Sequence, residues 1–334
     1  MSRARRRGLV RLAVLIIIVG WLVVLAIKDT FSGGSGGRSR PAQTTKRVLF
    51  PRHLKAAMTA MTLPQPIHGA TAASSQGGVL VIGGANRSDV SSDRVLLLDP
   101  SRTSVARAGK LSQPLHDAAA ATVGDSTLVF GGGANSTFDT IQRLVRGGTA
   151  SKVGRIPDRA SDLSAVSVGA AVYVVGGYDG QSVLGSVLRT ADGSHVAKVG
   201  SLRTPVRYTA LATLGGRIYA FGGELATGAD SDLIQAYNTE TGRSSVVGRL
   251  PRRLAHASAV VLDGSIYVLG GRRSGVASDQ ILHFDAARLT VAPAGRLPEP
   301  VFDAAAATSD GVAYLAGGIG PAGTSVDSVV SIGP

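Results

Sequence analysis

Six short stretches of this sequence bring ionisable side chains to the entrance of an apolar run. They read PIHG, PLHD, RASD, PVRY, RLAH and PVFD, and their variable pairs are His68-Gly69, His116-Asp117, Ser161-Asp162, Arg207-Tyr208, Ala255-His256 and Phe302-Asp303. His68, His116 and His256 with Asp117, Asp162 and Asp303 offer the donor types of a metal site. Histidine beside carboxylate is also the raw material of acid–base catalysis. Neither chemistry has the spacing that would fix it, because no His-x-x-x-His or similar close ligand pair occurs. No metal ligand and no catalytic residue is therefore assigned. Ligand recognition remains, with His68, His116, Asp117, Asp162, Arg207, Tyr208, His256, Phe302 and Asp303 as the candidate residues. No phosphate loop, nucleophile elbow or zinc motif is present, and the Gly-x-Gly matches near Gly131 never open a helix, so no cofactor is expected.

The elements that must position these residues are written in the stretch that follows each of them. Residues 257–271, ASAVVLDGSIYVLGG, read as two apolar strands joined at Asp263-Gly264 and closed by Gly270-Gly271. Both positions of such a tight turn need positive φ, which Gly supplies without steric cost. Val260, Val261, Ile266, Tyr267, Val268 and Leu269 carry the β-branched and aromatic bias of a buried strand pair. The closing Gly-Gly leaves room for neighbouring backbone to approach closely. The same apolar run and glycine pair recur at Gly83-Gly84, Gly131-Gly132, Gly176-Gly177, Gly222-Gly223, Gly270-Gly271 and Gly317-Gly318, in steps of 48, 45, 46, 48 and 47 residues.

A period just under fifty with one Gly-Gly per unit resembles the kelch repeat, from about Lys55 to the C-terminus. The resemblance implies an all-β, six-bladed kelch-type β-propeller. Third strands are expected at residues 94–98, 141–145, 187–189, 233–237, 281–284 and 328–332, and fourth strands at 104–111, 150–156, 195–202, 244–250 and 289–297. The sixth repeat lacks a fourth strand of its own, and residues 54–63 match it. They are expected to close the last blade and so hide the edges of the array. First strands line a propeller's axis, so the six stretches should surround one mouth of the channel. The resemblance also offers a bland role for the histidines, hydrogen bonding to backbone there. Kelch blades usually carry a Trp in the fourth strand, yet none follows Trp21 here, and the Tyr column reads Leu98, Leu144, Leu188 or Thr190, Tyr237, Phe284 and Ile332. Smaller aliphatic residues and Ala must do that packing. Asp93, Asp139, Asp232, Asp279 and Asp327 recur before the third strand and are expected to accept local backbone hydrogen bonds.

Residues 1–11 carry five Arg, and residues 12–27, LAVLIIIVGWLVVLAI, are uncharged. This pattern reads as a basic cytoplasmic N-terminus and a single transmembrane signal anchor, with cleavage as a signal peptide the alternative. Residues 28–47 are a flexible Gly/Ser/Arg linker and residues 48–334 the propeller. Of the net charge of +13, +11 falls within residues 1–55, so the propeller lacks the basic footprint of a nucleic-acid binder. The absence of Cys excludes a Cys–Tyr copper cofactor, and the absence of Trp beyond residue 21 excludes sialidase-type Asp boxes. Only six of the 35 basic residues are Lys, the bias of a GC-rich bacterial genome. The expectation is a membrane-tethered, extracytoplasmic, non-enzymatic propeller that binds a protein or a cell-envelope glycan, with variable loops after each Gly-Gly supplying specificity. The alternative is a carbohydrate isomerase resembling the six-bladed kelch mutarotases of sialic acid, with Arg207, His116 and His256 nearest the chemistry.

Overall fold

The computed structural model describes residues 53–145 and 148–334. The expected cytoplasmic segment, membrane span and linker, residues 1–47, lie outside the described residues. Among the described residues no helix is long and apolar enough to cross a membrane, and every regular element is a β-strand.

Each repeat folds into a four-stranded antiparallel sheet whose strands neighbour one another in chain order. In the fourth repeat these are Ala210–Leu214, Arg217–Phe221, Leu233–Asn238 and Ser244–Arg249. In the fifth, Ser258–Leu262 and Ser265–Leu269 meet at Asp263-Gly264, whose φ values of 48° and 72° are those of a two-residue hairpin. Second strands such as Ile218, Tyr219, Ala220 and Phe221 are buried on both faces, because each sheet is sandwiched between two neighbours. That is why they read as unbroken apolar runs rather than alternating ones. Fourth strands, at the outer edge, are mostly exposed or half-buried.

One long strand, Lys55–Ser75, belongs to two sheets. Its beginning pairs antiparallel with Val326–Gly333, from Lys55↔Gly333 to Met58↔Val330, and completes the sixth sheet. Its end, from His68↔Ala85 to Ser75↔Gly78, is the first strand of the first repeat. Between them the register shifts twice, between Met58 and Thr62 and again between Thr62 and Ile67, where Pro64 and Pro66 have no N–H to give the ladder. Leu54 adds a tie to the fifth sheet, its N–H donating to Ala294 O at 2.7 Å.

The core is divided among six apolar clusters, each joining two neighbouring sheets, and the last returns to the first. One joins Met61, Leu63, Ile67, Tyr314 and Val329 of the sixth sheet to Val79, Val81, Leu96 and Leu98 of the first. The ring is therefore closed, a β-propeller of six blades. Without Trp, the layers are filled by Leu, Ile, Val and Ala, each fully buried large side chain contributing ~1.5–3 kcal/mol. Between blades four and five Phe284 sets its edge against Tyr219 (5.1 Å, 60°) and Phe221 (5.2 Å, 75°).

Three of the five recurring aspartates do something other than expected. Asp139, Asp232 and Asp279 pair with Arg155, Arg249 and Arg296 at the end of their own blade's fourth strand, at 2.6–2.7 Å. A guanidinium within reach outcompetes isolated amides for a carboxylate, because both partners are charged. These pairs clip the third strand to the fourth.

Candidate functional site at the channel mouth

The second residue of each variable pair adopts a left-handed backbone conformation. The φ values are 59° for Gly69, 52° for Asp117, 60° for Asp162, 50° for Tyr208, 56° for His256 and 52° for Asp303. An L-residue held this way costs ~1–2 kcal/mol, least for Asp and His and most for Tyr. The surroundings that hold them there form a closed circuit. Asp117 N–H donates to Gly69 O (2.7 Å), Asp162 to Asp117 O (2.8 Å), Tyr208 to Asp162 O (2.9 Å), His256 to Tyr208 O (3.0 Å), Asp303 to His256 O (3.1 Å) and Gly69 to Asp303 O (3.2 Å). Every blade gives one donor and one acceptor, and the six peptides girdle the axis.

The glycine pairs deliver the chain to this circuit. A Cβ on Gly222 would lie 2.0 Å from Leu254 O, and the next amide, Gly223 N–H, donates to that carbonyl at 2.9 Å. Leu254 leads directly to Ala255-His256, so blade four positions the site residue of blade five. Immediately after the glycines, the chain pairs with the first residue of its own variable pair, always seventeen positions earlier: His68↔Ala85, His116↔Gly133, Ser161↔Tyr178, Arg207↔Glu224, Ala255↔Arg272 and Phe302↔Ile319.

Inside the circuit, Asp117, Asp162, Tyr208, His256 and Asp303 line a cavity of about 230 Å³ whose deeper wall is largely Ala, from Ala70 and Ala119 round to Ala304. Their side chains are paired with one another. His256 Nδ1 makes a short contact with Asp303 Oδ1, and its ring stacks on Tyr208 at 3.8 Å. Phe302 sets its edge to the His256 ring at 6.0 Å. Arg207 donates from Nε to Glu224 Oε1 (3.0 Å), makes a second, shorter contact through Nη2, and reaches Asp162 Oδ2 at 3.3 Å. The same guanidinium lies 4.9 Å from the Tyr178 ring centre. Arg272 holds the other Glu224 oxygen at 2.7 Å. Burial pushes the Glu224 carboxyl up, but the Arg207 hydrogen bond and the two guanidinium charges outweigh it and hold it below its usual range.

Asp117 is the carboxyl without a cation. Tyr208 Oη donates to its Oδ2 at 3.1 Å, and His116 Nε2 stands 3.8 Å away. Burial first, then the charges of Asp303 and Asp162, raise it well above the ordinary carboxylate value of 3.8. Asp162 is raised as well, chiefly by burial. Burial, followed by the nearby His68, lowers His116, and burial with the Asp117 charge raises Tyr208. The mouth thus holds a carboxyl shifted toward protonation beside an imidazole shifted toward its neutral form. Gly69 is the ring's one residue without a side chain because the Asp117 carboxyl occupies the space: a Cβ there would lie 2.6 Å from Asp117 Oδ1.

His68 and His116 stand apart from the circuit and bind side chains rather than backbone. His68 pairs with Ser325 Oγ (2.9 Å) and Asp89 Oδ1 (3.3 Å), and His116 with Ser91 Oγ (2.9 Å), all in loops that follow the glycine pairs. Among the described residues no group of three or more His, Cys, Asp or Glu side chains is disposed to hold a metal ion. Glu224 and Arg272, which neutralise the site, are absent from the candidates read in the sequence. The seventeen-residue offset between the two recurring positions was the signal that would have found them.

Against known proteins, residues 253–286 match the family described as Kelch motif. Over 106 residues the chain is 31% identical to Kelch-like protein 35 of Mus musculus, an alignment covering 31% of this chain and 18% of that protein. Residues 253–286 carry a kelch motif. The chain spans less than a fifth of the length of that relative, and the matched motif lies in the fifth blade, the one that supplies His256 and Arg272.

Proposed function

We propose that this kelch propeller is a membrane-tethered, extracytoplasmic module that binds a protein or a cell-envelope glycan at the channel mouth and catalyses no reaction. One observation carries the reading. The blade-specific side chains converge on a preformed, strained ring whose backbone circuit is closed, and most of their charges, Asp117 excepted, are paired with one another. A site already ordered in this way loses little entropy on binding. Kelch repeats point to protein binding in the same direction, and the loops after the glycine pairs, such as those bearing Asp89 and Ser325, give the mouth a blade-specific rim. The tether rests on the arginine-flanked apolar run at residues 12–27.

The test is a thermal-shift screen of the full chain in detergent against cell-envelope glycans and divalent metals, paired with protease accessibility in intact cells. A ligand at a hundred times its dissociation constant stabilises by about 2.7 kcal/mol. A glycan that raises the melting temperature in the wild type and not in His116→Ala/His256→Ala supports the mouth as the site. A propeller shielded from external protease in cells with a permeabilised outer layer overturns the location.

A second reading, the carbohydrate isomerase, draws on the Asp117–His116 pair, an acid and a base 3.8 Å apart beside a cavity of sugar size. Sugar-anomer exchange followed by NMR separates the two: catalysed exchange lost in His116→Ala establishes the isomerase, and exchange at the buffer rate removes it.

A further inference from the structure

Beside the mouth, at the entrance to blade five, three arginines, Arg252, Arg253 and Arg273, are among the residues that line one pocket of about 490 Å³. Among the described residues none of the three makes a side-chain hydrogen bond or ion pair. The one carboxylate in the wall, Asp279, is already engaged by both contacts from Arg296 Nη1, at 2.7 and 3.0 Å. Ser274 and Ser278 add hydroxyls. Three like charges brought together without a counter-charge repel one another, and an anion in the pocket relieves that repulsion.

The pocket is also built. Arg252 and Arg253 precede Leu254, whose N–H donates to Ser231 O at 2.9 Å and whose carbonyl receives Gly223 N–H. Arg273 lies on a small hairpin, Arg272–Arg273 against Val276–Ala277, turned at Ser274-Gly275 with φ values of 47° and 81°. That hairpin is laced to the first segment by two backbone hydrogen bonds between Ala255 and Arg272, and its tip is pinned to blade four by Ser274 N–H donating to Asp230 Oδ2 at 2.7 Å. Nor does the repeat itself demand the arginines. At the positions of Arg252-Arg253 the other blades carry Gln65-Pro66, Gln113-Pro114, Asp158-Arg159, Thr204-Pro205 and Glu299-Pro300, and none has Arg at the position of Arg273.

We infer that the blade-five pocket formed by Arg252, Arg253 and Arg273 binds a phosphoester group. Guanidinium forks match the tetrahedral oxygens of phosphate and bind them in pairs. Three of them can share the oxygens of one phosphate, monoester or diester, which presents more acceptors than a single carboxylate does. The inference stands on this pocket alone and is independent of the reading of the channel mouth.

The probes are glycerol 3-phosphate in solution, and vesicles of phosphatidylglycerol against vesicles of phosphatidylcholine, each titrated onto the full chain. Binding should weaken as salt rises. It should fall roughly a hundredfold in Arg252→Gln/Arg253→Gln/Arg273→Gln and about tenfold in Arg273→Gln alone, which leaves most of the wall intact. Arg94→Gln/Arg217→Gln/Arg243→Gln, equal in charge change but elsewhere, should bind as the wild type. Binding to glycerol 3-phosphate identifies a soluble phosphoester as the source, and binding to phosphatidylglycerol vesicles alone identifies a lipid headgroup. Binding to neither probe, or equal loss in the two triple variants, overturns the inference.

Discussion

Gly222→Ala should cost far more than Gly215→Ala, although both glycines have φ near +60° (61° and 59°) in the same blade. The left-handed backbone charges each alanine ~1–2 kcal/mol. At Gly215 nothing lies within 4 Å of the added Cβ, so the cost ends there. At Gly222 the methyl meets Leu254 O at 2.0 Å, and that oxygen cannot retreat without leaving Gly223 N–H, which donates to it at 2.9 Å. An unsatisfied buried amide and carbonyl add ~1–3 kcal/mol, for a total of about 2–5 kcal/mol. In a domain of this size each kcal/mol moves the melting temperature by about 2 °C. Calorimetry should therefore show a loss of about 4–10 °C for Gly222→Ala and about 2–4 °C for Gly215→Ala. Because Leu254 leads into His256, the first variant should also weaken any ligand held at the mouth. Equal losses for the two alanines would refute the claim that the glycine pairs exist to admit the next blade's backbone.

Asp117→Asn should abolish a pH dependence. A carboxyl raised on folding contributes its full share below its unfolded value of 3.8 and loses it as pH rises through the folded value. The wild type should therefore lose stability as pH rises out of the carboxylate range, whereas Asn, which tolerates φ of 52° and still accepts from Tyr208, should be flatter and at least as stable at pH 8 in denaturant titrations. Arg207→Met should destabilise by about 3–5 kcal/mol, because it takes the guanidinium from buried Asp162 and one of the two from Glu224. Urea denaturation is the check, and an additional Glu224→Gln should recover part of the loss. A chain beginning at residue 63 lacks the strand paired with Val326–Gly333 and should elute as aggregate on size exclusion, since the open edge of that strand invites pairing with other chains.

Much of the fold was legible because each blade repeats the same local rules. Apolar runs bounded by Asp-Gly and Gly-Gly are short-range signals, and six copies at steps of 45–48 residues leave little choice of architecture. The third and fourth strands fall within a few residues of the expected positions for the same reason. The site was legible by residue type and not by partner. Asp117, Asp162, Tyr208, His256 and Asp303 could be picked out as blade-specific residues, yet nothing along the chain says that His256 contacts Asp303, 47 positions away, or that Asp117 touches Tyr208, 91 positions away.

The sequence alone determined the repeat, its turns, and which residues break the repeat, because φ preferences and apolar periodicity act within a few residues. Only the closed ring decided the rest. It set six left-handed peptides end to end, gave Glu224 to two guanidiniums and left Asp117 with none. Those outcomes depend on distances between blades, and such distances exist only once the sixth sheet has taken its outer strand from the beginning of the propeller.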